Sequence, residues 1–468
     1  MPDLPPEEFR RAGHELVDWI TDYLSHIGDY PVLPKCQPGE IAASLPTSAP
    51  VNGEPIDRIL ADFRSQIVPN LNHWNHTRFH GYFSVSASEP GILGEMLAAA
   101  LNVNAMVWKS CPAATELEQV VMRWLGEWLN LPEDWFGIIY DTASISTMHA
   151  LLCARQYVDP ESRTRGAEPN LTVYTSEQAH SSVEKSAIAL GYGQDNVRKI
   201  PVDDQFRMRP EKLYEAMRQD TIAGRRPACI VPTIGTTSTS SVDPVAEVVA
   251  LAQEHDAWVH VDASYAGVTA MLPEMSQYFD GVSDAHSIVV NPHKWLFTPI
   301  DLSAFYTARP DILRGALSLV PEYLKTAEDD RALNYMDYSV ALGRRFRALK
   351  LWFVMRSFGK EGASAILRTH LQWAQELAQL LQADGRFELA APVPFSLVCF
   401  RMKASDEENR ALMDRVNAGG TAFLSHTVLR GRFVLRLAIG NVKTSREDVL
   451  KTWEAILKEA AKIQVAAS

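Results

Sequence analysis

Ser287-Ile288-Val289-Val290-Asn291-Pro292-His293-Lys294-Trp295 is an apolar run followed by a turn and a lysine. The run has the length and β-branched content of a fully buried strand, and Pro292 closes it. A lysine placed straight after such a strand is not an ordinary solvated charge, because lysine is almost never buried without a reason. Upstream, Trp258-Val259-His260-Val261-Asp262 repeats the form, an apolar run closed by a carboxylate.

Working outward, further strand candidates are 137–140, 171–174, 197–202, 229–233 and 302–307. Helical patterns lie between several of them, as at 181–190 and 242–255. Strands alternating with helices predict a mostly parallel sheet covered on both faces. Ligands on such sheets bind beyond the carboxyl ends of the strands, where Asp262 and Lys294 both fall. Before this region, 6–27 reads as an amphipathic helix with Phe9, Leu16, Val17, Ile20 and Leu24 at helical spacing, and 57–67 as a shorter one. After it come a helix over 362–383, strands at 396–402 and 433–439, and helices near 407–417 and 445–462. The expected organisation is an N-terminal helical segment (1–77) packing on a partner subunit, a large domain (78–350) and a small C-terminal α/β domain (351–468).

An amine and a carboxylate at neighbouring strand ends suit pyridoxal phosphate (PLP). The lysine forms a Schiff base with the aldehyde, and the aspartate keeps the pyridine nitrogen protonated. A phosphate cradle is offered by Thr142-Ala143-Ser144-Ile145-Ser146-Thr147, which follows a strand and opens a helix. Ser and Thr are also ordinary helix caps, so this stretch alone has two readings. His180, between a strand and a helix at the same sheet edge, is either a capping histidine or a group that stacks on the ring and exchanges protons. His73, His76 and His80 have the spacing of metal ligands on a helix, but Pro69 and the intervening asparagines argue for a loop, and no metal is expected.

Composition sets the frame. The chain has 468 residues, 46% hydrophobic and 22% charged, with a formal net charge of -12. The acidic balance argues against non-specific binding to nucleic acid or anionic membrane. The five cysteines (Cys36, Cys111, Cys153, Cys229, Cys399) are scattered and odd in number, as in a reduced compartment. No signal peptide or transmembrane run is read, so the expected location is the cytoplasm.

Taken together, several motifs resemble one family over nearly the whole chain. They are Pro112-Ala113-Ala114-Thr115-Glu116-Leu117-Glu118, Gln178-Ala179-His180-Ser181-Ser182-Val183-Glu184, Gly235-Thr236-Thr237, His260-Val261-Asp262-Ala263-Ser264-Tyr265-Ala266-Gly267, Asn291-Pro292-His293-Lys294-Trp295 and Leu342-Gly343-Arg344-Arg345-Phe346-Arg347. The chain resembles the group II PLP-dependent amino acid decarboxylases, and among them the aromatic-L-amino-acid (DOPA, tryptophan, tyrosine) decarboxylases. The resemblance implies fold type I, with a mostly parallel seven-stranded sheet in the large domain, and a homodimer with active sites at the interface. It assigns the cofactor linkage to Lys294, the pyridine nitrogen to Asp262 and ring stacking to His180. Ala143, Ser144 and Asn291 would hold the phosphate, with Thr237 and His293 close by. Pro321-Glu322-Tyr323-Leu324-Lys325 matches the family's mobile loop, which makes Tyr323 the proton donor to the substrate carbon, with His180 as the other candidate.

The resemblance also locates departures. The phosphate loop reads Asp141-Thr142-Ala143-Ser144-Ile145-Ser146, where the family usually has Gly before it and Ser-Glu after; Asp141 repels phosphate unless it points away or is paired. Trp74, Tyr82 and Phe83 keep an aromatic substrate wall, whereas Asn104 and Met106 replace larger apolar or aromatic groups of animal members. Gly343 leaves room that in plant relatives goes with indolic substrates. The implied reaction is decarboxylation of an aromatic L-amino acid (tryptophan, DOPA, tyrosine or phenylalanine) to the amine and CO2. The alternatives are an aromatic aldehyde synthase of the same family, a decarboxylase of a non-aromatic amino acid such as histidine or glutamate, and an inactive dimeric binding protein.

Overall fold

The computed structural model describes residues 3–319 and 331–467. Along the chain the helices are α1 (Pro6–Ser25), α2 (Glu40–Ser44), α3 (Ile56–Asp62), α4 (Glu89–Leu101), α5 (Pro112–Trp128), α6 (Ala143–Val158), α7 (Ser162–Arg165) and α8 (Ser182–Ala189). They continue as α9 (Pro210–Ile222), α10 (Val245–Glu254), α11 (Pro292–Trp295), α12 (Pro310–Leu317), α13 (Arg347–Ala383), α14 (Asp406–Ala418) and α15 (Arg446–Ala467). The strands are β1 (Phe136–Tyr140), β2 (Leu171–Ser176), β3 (Val197–Ile200), β4 (Arg226–Val231), β5 (Trp258–Asp262), β6 (Ser287–Val290), β7 (Ser303–Thr307), β8 (Phe387–Leu389), β9 (Leu397–Met402), β10 (Ser425–Leu429) and β11 (Arg432–Ala438).

The chain divides into two compact units, one formed by 1–84, 383–388 and 400–468, the other by 85–382 and 389–399. The second holds a seven-stranded sheet in the order β1-β7-β6-β5-β4-β2-β3. The pairs β2–β3, β2–β4, β4–β5 and β5–β6 are parallel, and only β7 runs against its neighbours β6 and β1. Strands β2, β5, β6 and β7 are buried along their whole length, as a sheet with both faces covered requires. Helix α6 packs along β1, β4, β5, β6 and β7. Its Ala150, Leu151 and Ala154 join Ile138, Val173, Val231, Trp258 and Phe305 in one apolar core.

The other unit carries most of a second sheet, in the order β10-β11-β9-β8. The expected long helix at 362–383 begins earlier, at Arg347, and is broken at Gly359, whose φ of 62° and ψ of 170° leave helical geometry. That break is why only its second half shows uninterrupted helical periodicity. Strands β8 and β10, not anticipated, are short, and β10 lies at a sheet edge with partly exposed residues, so no buried run marks it. The expected 57–67 helix is regular only to Asp62; Phe63–Ile67 widens into a π turn ahead of Pro69.

Candidate active site

Strand direction brings the candidate residues to one edge. Because β7 opposes both β6 and β1, β1 runs the same way as β5 and β6. Tyr140 pairs with Ser303 and Val290 with Ala304, so the ends of β1 and β6 lie level across β7. Asp262 pairs with Val289 on one side and bridges to Thr233 on the other. The start of α6, the β4 exit, Asp262 and the Asn291–Lys294 turn therefore share the C-terminal edge of the sheet.

At this edge Ser264 joins the two charged residues. Its hydroxyl donates to Asp262 Oδ1 at 2.5 Å and its backbone N–H donates to the same oxygen at 3.1 Å. Lys294 Nζ donates to Ser264 Oγ at 3.5 Å. Burial lowers the Lys294 pKa, and the Asp262 charge opposes that shift. His260, in β5, is held by Ser287 Oγ at 2.9 Å and pushed down to about 4 by burial, with Asp262 pulling it back. Ser264 was within a motif read from the sequence but carried no assigned role; its signal was the position two residues after Asp262, where a hydroxyl can reach back to the carboxylate.

His180 accepts the Ser182 N–H at its Nδ1, 3.1 Å away. The residue is open to solvent on one side, yet its pKa is lowered, first by desolvation and then by Lys294 and Lys185, while Asp262 raises it. His293 accepts the Leu302 N–H at 2.9 Å, and burial with the Lys294 charge pushes it down to about 3. Asn291 is 2% exposed and its side-chain oxygen has no partner. Beneath the lysine, Trp295 stacks on Tyr265 (4.9 Å, 7°) and donates to His370 Nδ1 at 3.0 Å. The close approach of the β4 exit to β5 requires a glycine: a Cβ on Gly235, whose φ is +86°, would lie 2.7 Å from the Ala266 Cβ.

The start of α6 has Thr142 at its N-cap in extended geometry, with no side-chain capping bond; the Ile145 N–H donates to Thr142 O at 3.1 Å, which leaves the Ala143 and Ser144 N–H groups as the first-turn donors without an intrahelical acceptor. Asp141 does not point away. Its Oδ1 accepts the Thr142 N–H at 2.7 Å.

Of the proposed substrate wall, the structure brings Asn104, Met106 and Gly343 together. Asn104 Nδ2 donates to Met106 Sδ at 3.4 Å, and a Cβ on Gly343 would lie 3.9 Å from that same nitrogen. Asn104 Oδ1 accepts the Arg344 N–H at 2.9 Å. Trp74 and Tyr82 stack at 5.7 Å, and the Arg436 guanidinium lies 5.4 Å from the Phe83 ring, both within the other compact unit. Tyr323 lies outside the described residues. His73, His76 and His80 sit in irregular backbone, each with its own partner: Tyr23 hydroxyl, Arg78 N–H, and Ala438 O with Thr452. Among the described residues no cluster suits a metal ion, and no helix is long and apolar enough to cross a membrane.

A family model described as the pyridoxal-dependent decarboxylase conserved domain matches residues 38–403. The chain belongs to this family. It is thus a PLP-dependent carboxy-lyase of the group II decarboxylases. Phenylacetaldehyde synthase of Arabidopsis thaliana is 40% identical over 472 residues, covering 97% of this chain and 96% of its own. Tyrosine decarboxylase 4 of Petroselinum crispum is 39% identical over 483 residues, covering 98% and 93%. The crystal structure of Oryza sativa TDC with PLP and tryptamine matches with a TM-score of 0.96 and 36% identity, covering 99% of each chain. The decarboxylase's residues fit the cofactor: a half-buried amine linked through Ser264 to a carboxylate, and the Ala143 and Ser144 N–H groups at a helix start, at one sheet edge.

Proposed function

We propose that this decarboxylase converts an aromatic L-amino acid to its amine and CO2. The observation that carries the proposal is the Lys294–Ser264–Asp262 chain, in a fold whose relatives are named for tyrosine and phenylacetaldehyde and crystallise with tryptamine. When bound, PLP supplies an electrophilic carbonyl carbon and a protonated ring that accepts the electrons left behind by CO2. Lys294 offers the amine, and burial biases it toward its neutral, nucleophilic form. Asp262 holds the proton at the ring nitrogen, while Ser264 fixes that carboxylate's direction. The first N–H groups of α6, at Ala143 and Ser144, together with Asn291, hold the phosphate. Thr237 and His293 close against the cofactor. His180 covers the ring, and as a neutral imidazole it can accept a proton.

Tyr323 delivers the proton to the substrate α-carbon on this reading, which for Tyr323 rests on sequence. Asn104, Met106 and Gly343, which meet in one unit, supply substrate wall on this reading, with Gly343 favouring an indole. A homodimer is part of the proposal. Leu93, Met96, Leu97 and Leu101 leave one side of α4 exposed and apolar, as a subunit contact requires. Free cysteines throughout support a cytoplasmic location.

The second reading is an aldehyde synthase, favoured by the 40% identity to phenylacetaldehyde synthase. A panel of amino acids assayed for CO2, amine and peroxide decides between them. Amine with CO2 from an aromatic substrate, without peroxide, is expected. Aldehyde, ammonia and stoichiometric peroxide would establish the synthase, and turnover of histidine or glutamate alone would remove the aromatic assignment.

A further inference from the structure

Asp141 directly precedes Thr142, the N-cap of α6, whose first turn contains no acidic residue of its own. Its carboxylate is turned onto the helix start, with Oδ1 2.7 Å from the Thr142 nitrogen and 3.5 Å from the Thr142 hydroxyl. Among the described residues no lysine or arginine pairs with it. The titratable ring near it, His149, cannot neutralise it: it is buried, donates to Ile145 O at 2.8 Å, accepts the Val340 N–H at 3.1 Å, and stays uncharged. A carboxylate thus stands where the helix N-terminus would otherwise attract anions without opposition.

We propose that Asp141 is an affinity-limiting residue for the phosphorylated cofactor. Its charge opposes the phosphate at the α6 start, so the protein exchanges PLP with solution more readily than the same chain without it. The inference rests on the PLP assignment of this edge. A phosphate ester carries between one and a half and two negative charges near neutral pH. Repulsion by one unit charge through a water-like medium at close range corresponds to about a tenfold change in affinity. The effect is specific to the phosphate, because the pyridine and aldehyde are addressed by Asp262 and Lys294 instead.

The test is equilibrium reconstitution of the apo form of the full chain with PLP and, in parallel, with pyridoxal, followed by tryptophan fluorescence quenching. Asp141→Asn keeps an oxygen for the Thr142 N–H and removes the charge; Asp141→Ser is the second variant if the first does not fold. The expected result is PLP bound about tenfold more tightly by the variant, pyridoxal affinity unchanged, and a PLP difference that shrinks as salt is raised. Equal or weaker PLP binding by the variant, or equal tightening for pyridoxal, overturns the inference and leaves the PLP assignment standing. Wild-type protein that binds no PLP, or whose visible band survives Lys294→Ala, overturns that assignment and the inference with it.

Discussion

Glu118 and Arg344 form an ion pair at 2.6 Å whose side chains are 2% and 5% exposed. The pair closes an open strand edge. β1 is the outermost strand of the sheet, and Ile139 donates its N–H to Glu118 Oε1 at 2.9 Å while its carbonyl accepts from Arg344 at 2.9 Å. Arg344 also donates to Ala105 O at 3.4 Å and lies 4.4 Å from the centre of the Tyr335 ring. Replacing one member leaves the other charged, buried and unpaired, a loss of about 3–5 kcal/mol. Glu118→Ala additionally orphans the Ile139 N–H, so it should cost about 4 kcal/mol or more, and Arg344→Met a similar amount. The double variant Glu118→Met with Arg344→Met removes both charges and leaves the two Ile139 groups and the weakly bonded Ala105 carbonyl unmet, about 3 kcal/mol rather than the roughly 8 of the summed singles. Urea unfolding followed by tryptophan fluorescence measures all four corners of the cycle. A double variant as unstable as the sum of the singles, or single variants within about 1 kcal/mol of wild type, would refute the claim that the pair is mutually neutralising. Because the Arg344 guanidinium also donates to Ala105 O, next to Asn104, Arg344→Met should also raise KM for the aromatic substrate more than it lowers kcat.

Three further outcomes are expected. Lys294→Ala should lose the visible cofactor band and turnover by orders of magnitude while keeping the fold by circular dichroism, since its neighbour Trp295 stays packed on Tyr265. Gly343→Ala should fold normally, its new methyl meeting nothing nearer than Asn104 Nδ2 at 3.9 Å, and kcat/KM for tryptophan relative to phenylalanine should fall by about threefold to thirtyfold; an unchanged ratio removes Gly343 from the substrate wall. His76, His149, His260 and His286 are all held near 4 by burial. A folded pKa below the unfolded 6.5 means the unfolded chain binds more protons, so stability is lost as pH falls from about 6.5 toward 4, by up to ~1.4 kcal/mol per pH unit for each such histidine. The urea midpoint should drop across that window, and His149→Gln should flatten the slope by about one proton; a wild-type midpoint that rises on acidification contradicts the sign.

Much of this was legible in the sequence, for identifiable reasons. The strands 287–290 and 258–261 were read almost to the residue, because a buried parallel strand is an unbroken apolar run. Lys294 and Asp262 stood out as charges ending such runs. The mostly parallel character of the sheet followed from alternation of strand and helix, and its seven strands from the family resemblance. What escaped was non-local or lightly marked. Strands β8 and β10 have no continuous apolar signal, and α13 hides its true start behind the break at Gly359. The role of Ser264 depends on a side chain folding back on Asp262, and the Glu118–Arg344 closure of β1 depends on strand order, which has no local signature.

The sequence by itself determined the fold class, the cofactor chemistry and the identity of the lysine and aspartate, because apolar runs and charge positions are properties of the chain. Only the tertiary structure decided that these ends lie level across an antiparallel β7, that Ser264 links Asp262 to Lys294, and that Asn104, Met106 and Gly343 meet. It also decided that the Asp141 carboxylate accepts the Thr142 N–H at the helix start. Each of these depends on through-space register and side-chain direction, set by packing between segments far apart in the chain.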